Sequence, residues 1–375
     1  MSSKDYLKAP VPAPNLHIPA STSTARVSVI DTGARVSLPM TNFLKPDMPG
    51  KTRLSGPAYS FLITHPSGRR VLFDLSIRKD IENFPPRIRD RIKDPDWDVK
   101  SPQHVADVLT KHGIDLSEVE AIIWSHWHWD HTGSPTTFPP NTSLIVGPGF
   151  KENFTPGYPI NPDAPLNEAD WANRELRELD FGTEGKDLET EGKGLKIGRF
   201  QAVDFWGDGS FYLLSSPGHA VGHMCGLARV DSAQGQDSFV FMGGDCCHHP
   251  AEFRPTPYLP LPTTITPSPL PKHPKYSRSC PGELFQHLHP TRSADEPFYH
   301  VTPSFPHDLN SCNWSIAGCE EFDADPNVLV VMAHDESLLG VMPFFPATLE
   351  GWEREGLGVK GRWRFLGDFG EGVRE

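Results

Sequence analysis

No stretch of this chain is rich in lysine or arginine, and its 375 residues carry 35 basic against 48 acidic side chains, a formal charge of −13. Phosphate backbones are held by cationic patches, so this balance argues against nucleic acid as a partner and against a nuclease. No apolar run approaches the length that spans a bilayer, so no membrane partner is expected. The opening Met1-Ser2-Ser3-Lys4-Asp5-Tyr6 lacks the apolar core of a signal peptide. Cysteine is sparse. Cys225, Cys246, Cys247, Cys280, Cys312 and Cys319 form no Cys-x-x-Cys pair and no framework spacing. The adjacent pair bridges to itself only with strain. Reduced, buried thiols in a cytoplasmic protein are the expectation.

Proline and glycine, by contrast, are abundant at 39 and 32 residues. That load suits strands and long irregular connections better than a helical protein. Residues 1–24, rich in Pro, Ser and Thr, read as an arm that either orders on contact or stays disordered. Residues 25–375 read as one domain, interrupted at about 250–306 by a proline-rich insertion with weak periodicity. Strands are expected at Arg26–Asp31, Tyr59–Thr64, Val71–Asp74, Ala121–Trp124, Ser143–Val146, Phe200–Phe205, Phe211–Leu214, Met224–Val230, Ser238–Met242 and Val328–Met332. Gly207-Asp208-Gly209 supplies a hairpin turn. Ser101 and Pro102 read as the start of a helix that Gly113 closes. Trp171–Phe181, with its Glu-Leu-Arg-Glu-Leu run, and Cys312–Phe322 read as further helices. Arg78–Lys100 reads as exposed helix and loop, Lys151–Leu166 as an aromatic lid, and Glu184–Gly194 as a charged loop.

The chemistry concentrates in Ser125-His126-Trp127-His128-Trp129-Asp130-His131-Thr132-Gly133, directly after the apolar run Ala121-Ile122-Ile123-Trp124. Histidines two apart on extended chain point the same way, so His126 and His128 can grip one ion from one side. Asp130 and His131 lie where the chain turns and can face a second ion. Burying these groups together without a cation would cost roughly several kcal/mol. The same logic recurs downstream. Apolar strands run into Pro217-Gly218-His219, Gly243-Gly244-Asp245 and Ala333-His334. The inventory makes two sites: His126, His128 and His219 at one, Asp130, His131 and His334 at the other, with Asp245 able to bridge. Nitrogen and carboxylate donors without thiolate suit Zn²⁺, and Mn²⁺ or Fe²⁺ are also compatible. Asp74, ending its strand, is a candidate to orient a ligating imidazole. His223 reads as a brace for the His219 loop and His249 as structural.

These residues resemble the metallo-β-lactamase superfamily, marked by His-x-His-x-Asp-His and Gly and then, in order, by Pro-Gly-His-x-x-Gly-His, Gly-Asp and a strand-end His. The resemblance runs from about Arg26 to Met342 without the proline-rich insertion. It implies an α/β fold, a four-layer αββα sandwich, with two Zn²⁺ between its sheets. Two such ions acidify a shared water and polarise a carbonyl. The central motif looks most like that of quorum-signal lactonases, which implies a small-molecule lactone or lactam as substrate. A thioesterase of glyoxalase or acyl-carrier type is the alternative. A diiron oxidoreductase would want a carboxylate where His128 stands. Those lactonases often carry a tyrosine shortly after the bridging aspartate. Here Cys246-Cys247-His248-His249 follows Asp245, so His248 takes that place as candidate proton donor beside the catalytic candidates Asp130 and Asp245.

Overall fold

Along most strands the apolar side chains face both ways, and the fold covers both faces. The computed structural model describes residues 5–182, 194–232 and 237–373. One six-stranded sheet comprises β1 (Arg26–Ile30), β2 (Ser60–Thr64), β3 (Arg70–Phe73), β4 (Val119–Ile123), β5 (Ser143–Val146) and β6 (Leu176–Glu178), in that spatial order. Its first two pairings are antiparallel and its last three parallel. The second sheet comprises β7 (Lys196–Ile197), β8 (Phe200–Asp204), β9 (Phe211–Ser215), β10 (Met224–Asp231), β11 (Ser238–Met242) and β12 (Val328–Val331). Only its last pairing is parallel.

Strict alternation sorts each strand between two cores. Phe61, Ile63, Val71, Phe73, Ala121 and Ile123 meet Phe211, Leu213, Met224, Ala228, Val240 and Met242 between the sheets. The intervening Leu62, Leu72 and Ile122 face outward against helix α1 (Val105–Lys111). On the far side, Tyr212, Leu214, Cys225, Leu227, Phe239 and Phe241 pack on Cys312, Ile316, Cys319 and Phe322 of helix α2 (Leu309–Ala324). Helix, sheet, sheet, helix: the four layers follow from strands apolar on both faces. Each large apolar side chain so buried contributes roughly 1.5–3 kcal/mol. All six cysteines are free and buried.

Three local expectations need correction. The first helix begins at Val105, not at Ser101: Asp107 closes its amino end by accepting from the His104 N–H at 3.0 Å, while the Ser101 hydroxyl donates to the Ile77 carbonyl. Trp171–Phe181 is not a helix, because pairing with β5 draws Leu176–Glu178 into the sheet edge. Arg78–Lys100 is not merely exposed, since Phe84, Ile88 and Ile92 are buried and Asp98–Lys100 is a strand. That strand joins Arg35–Pro39 and Arg53–Pro57 in a small third sheet. The charged loop read at Glu184–Gly194 lies, but for its last residue, outside the described residues.

Residues 257–298 form a satellite core, in which Leu261, Ile265, Phe285 and Phe298 pack with Leu38, Phe43, Leu54, Phe365 and Phe369. From its near end, Residues 5–24 run over the body: Leu7 N–H donates to the Leu261 carbonyl, and Gly198 N–H donates to that of Leu16.

The segment from Phe150 to Trp171 is anchored at a buried acid, Asp170. Burial pushes its carboxyl up to about 7 against the pull of Arg78 and Arg174. An acid raised in the folded state favours the fold at low pH. That advantage is complete below pH ~4 and is lost as pH rises through ~7. Asp170→Asn is therefore expected to flatten the decline, gaining on the order of 2–4 kcal/mol over the parent at pH 8 relative to pH 4. Urea midpoints at the two pH values check it.

Candidate metal centre

Four chain segments leave the carboxyl ends of strands and converge. After β4 come His126, His128, Asp130 and His131, the last two on a single helical turn, Trp129–Thr132. Past β9 lies His219, past β11 Asp245, and past β12 His334. Gly244, at φ 51°, turns the chain so that Asp245 points inward; a Cβ there would lie 2.9 Å from His223 Nε2.

The ligand atoms fall into two groups, His126, His128, His219 and Asp245 in one, Asp130, His131 and His334 in the other. In the first, His219 Nε2 lies 3.2 Å from His126 Nε2 and 3.0 Å from His128 Nδ1. In the second, His131 Nε2 lies 3.3 Å from His334 Nε2, which is 3.5 Å from Asp130 Oδ2. Asp245 stands between them. Its Oδ2 is 3.7 Å from His126 Nε2 and 3.5 Å from His219 Nε2, its Oδ1 3.0 Å from His131 Nε2 and 3.1 Å from His334 Nε2. Yet Oδ1 is buried and accepts no hydrogen bond. A buried carboxylate oxygen without a donor, ringed by imidazole nitrogens, is an arrangement that a divalent cation satisfies and a hydrogen-bond network does not.

Partners on the far side of each ring fix which nitrogen faces inward. His131 Nδ1 donates to Asp74 Oδ2 at 2.9 Å, and His334 Nδ1 donates to the Pro57 carbonyl at 2.6 Å. With Nδ1 donating in each ring, Nε2 is the nitrogen that faces the centre. His126 Nδ1 sits 3.0 Å from Ser125 Oγ, which itself donates to Asp74. Asp74 thus serves two ligands from one carboxylate, held at φ 62°, a conformation costly for residues with a side chain. His223 joins the His219 loop to the Asp245 turn: Nδ1 contacts Ser216, and Nε2 accepts the Asp245 N–H at 3.0 Å. His249 faces away, bonding Asp368 at 2.9 Å.

Electrostatics divides the cluster between three imidazoles held neutral and two, His131 and His334, whose carboxylate neighbours favour a proton. Burial, reinforced by neighbouring imidazoles, holds His126 and His219 well below the usual range, and burial brings His128 down to about 4. Burial also works against a proton on His131, but Asp245 and Asp74 outweigh it and raise that residue well above its ordinary value. Against its own burial, Asp245 is kept strongly ionised by His131 and His334. Asp74→Asn is expected to weaken metal retention by about 10–100-fold. Competition with a chelator measures it, and retention equal to the parent's would refute the supporting role.

A cavity of about 390 Å³ opens over Asp130, Asp245, His248 and His334. Val36, Leu38, Phe43, Leu54, Trp97 and Phe305 give it apolar walls, broken by Asn42, Ser55, Arg91 and Ser304. His248 reaches the site, with Nε2 3.3 Å from Asp245 Oδ2 and its ring against Phe305. The aromatic segment after Phe150 borders a second cavity on the other side of His128. Sequence reasoning missed the apolar walls, whose only signal was alternation in Arg35–Pro39 and Arg53–Pro57.

Residues 55–148 match the Metallo-beta-lactamase superfamily. Over 364 residues the chain is 43% identical to Gamma-lactamase FDB1 of Fusarium pseudograminearum (strain CS3096), spanning 95% of this chain and 85% of that one. The chain belongs to the metallo-β-lactamase superfamily. It is also 43% identical to Metallo-hydrolase mfmC of Annulohypoxylon moriforme, over 96% of this chain and 91% of the other. In fold it is similar to B. thuringiensis AiiA, solved with N-decanoyl-L-homoserine bound at the active site, with a TM-score of 0.55, 16% identity and coverage of 87% and 99%. The protein is a metallo-β-lactamase hydrolase, and its candidate metal centre lies where strand ends come together. Among the described residues no helix is long and apolar enough to cross a membrane.

Proposed function

We propose that this metallo-β-lactamase hydrolase opens small cyclic amides, and cyclic esters of similar shape, in the cavity over Asp245. The observation that carries the reading is the unpartnered Asp245 Oδ1 between two sets of inward-facing imidazoles, under an apolar cavity of ligand size. The γ-lactamase relative, alike over nearly the whole chain, favours ring amides and disfavours thioesters.

His126, His128 and His219 would hold one ion, and Asp130, His131 and His334 the other, with Asp245 shared. The donors are those of Zn²⁺. When bound, such ions act as Lewis acids and lower the pKa of water toward neutrality. The chain's own residues do the rest. Asp74 and the Pro57 carbonyl take the Nδ1–H of His131 and His334 and so turn Nε2 of each ring toward the ion site. The apolar walls exclude bulk water and orient a flat ring over the carboxylates. His248 Nε2, buried and without a hydrogen bond, is placed to give a proton to the ring nitrogen as its bond to the carbonyl carbon breaks. An ester oxygen leaves more readily and needs that proton less. Glu252 steadies the donor, accepting the His248 N–H at 2.5 Å.

The experiment combines elemental analysis with turnover of matched lactams, lactones and thioesters. Zinc in the isolated protein and hydrolysis of the two ring classes are expected. Thioester turnover with both ring classes inert would overturn the reading. In the same assay His248→Ala should lower lactam hydrolysis by about a hundredfold, with a smaller loss on the lactone. Equal rates in parent and variant would remove His248 from proton transfer.

A further inference from the structure

One cation lines the cavity over the candidate metal centre. Asp130 and Asp245 supply acidic groups at the base; Arg91 is the other charged side chain on the wall, the histidines aside. It projects from the short helix Pro86–Ile92 and is exposed. Its guanidinium lies 5.1 Å from the centroid of the Trp97 ring, which lines the same cavity. Among the described residues it makes no ion pair and no side-chain hydrogen bond. Its neighbour in the helix, Arg89, is paired with Asp90. On a chain with 13 more acidic than basic side chains, an unpaired arginine stacked at the rim of a ligand cavity is a marked departure. Stacking on the indole face restricts the side chain while leaving all five N–H donors available.

We propose that Arg91 recognises an anionic substituent on the substrate, so that this cleft prefers cyclic amides or esters bearing a negative group remote from the ring carbonyl. The substrate class rests on the function proposed above, but the binding of an anion beside Trp97 does not. A flat ring filling the apolar walls would meet the carboxylates of the metal centre at one end and the guanidinium at the other. A planar fork of donors suits a carboxylate or sulfonate. Arg87, one turn earlier on the same helix, lines instead the cavity on the far side of His128, together with His219 and Asn153. It provides an internal control.

The test is equilibrium binding to the metal-loaded protein, with turnover as a separate arm. The probes are 2-naphthalenesulfonate, a weak metal ligand, and the neutral methyl sulfone of the same ring. The parent should bind the sulfonate about tenfold more tightly, as one charge-assisted hydrogen-bonded contact provides. Arg91→Gln should abolish that preference without changing affinity for the sulfone or the melting temperature, and Arg91→Lys should keep part of it. Arg87→Gln should leave it intact. An unchanged preference in Arg91→Gln, or no preference in the parent, would overturn the proposal. Failure of every ring substrate to turn over, with the sulfonate preference present and lost in Arg91→Gln, would instead count against the ring-opening reading alone.

Discussion

Asp245→Ala should abolish hydrolysis, lowering kcat/KM by about 10³-fold or more, since Lewis-acid assistance contributes several kcal/mol and each 1.4 kcal/mol is tenfold. The Asp245 carboxylate faces both groups of candidate ligands. Oδ2 looks toward His126 and His219, and Oδ1 toward His131 and His334. Truncation removes the ionised group between two clusters of imidazoles, so metal content should fall below the parent's. The fold should persist. Asp245 lies in the turn beyond β11, and the strand's apolar side chains remain packed between the two sheets. Circular dichroism, elemental analysis and kinetics on one preparation separate these outcomes. Normal turnover with two ions still bound would contradict the shared-carboxylate assignment, and His128→Ala should show the same loss through the first group alone.

The second large effect concerns stability. Asp323, in the last turn of α2, accepts from Arg254 Nε at 2.8 Å and Nη2 at 2.6 Å, and the two side chains are 3% and 5% exposed. Arg362 adds to the cluster, donating to the Asp323 carbonyl, while Arg254 donates to the Arg362 carbonyl. Burial alone would raise the Asp323 carboxyl, but Arg254 and Arg362 hold it below its ordinary value. Asp323→Ala strands a buried guanidinium, and a loss of about 3–5 kcal/mol is expected. Replacing both partners, Arg254→Met with Asp323→Leu, should recover most of it, because no unpaired charge is left behind. Urea unfolding with an unchanged denaturant slope would show that the difference is one of stability. A single variant as stable as the parent would mean that the ion pair contributes nothing net.

The residues that the fold brings together were legible as candidates because each follows the same local sign: a strand apolar on both faces, then glycine or a short polar turn, then His or Asp. Asp74 carried that sign as well, although its service to both Ser125 and His131 needed the paired ends of β3 and β4 to be seen. The αββα layering was implied by the family resemblance and agrees with strands that bury both faces. Other features were hidden for physical reasons. Leu176–Glu178 has helix-favouring neighbours, and only its pairing to β5 makes it a strand. His104 outcompetes Ser101 at the helix start because Ser101 spends its hydroxyl on Ile77. The cavity wall joins Leu38, Leu54, Trp97 and Phe305, residues far apart in sequence, and no periodicity announces that meeting. The proline-rich stretch had weak periodicity because it folds on turns, around residues supplied by other segments.

The arm has a consequence for how the molecule assembles. Leu7 and Val11 bond to Leu261 and Pro257, and the Pro19 carbonyl accepts from Arg229. These partners emerge from the ribosome hundreds of residues later, so a segment made early cannot dock until most of the domain has been translated. Closure over so long a span is entropically slow. Until then the arm stays open to proteases, and limited digestion of nascent chains should find it cleavable long after the first sheet has become resistant.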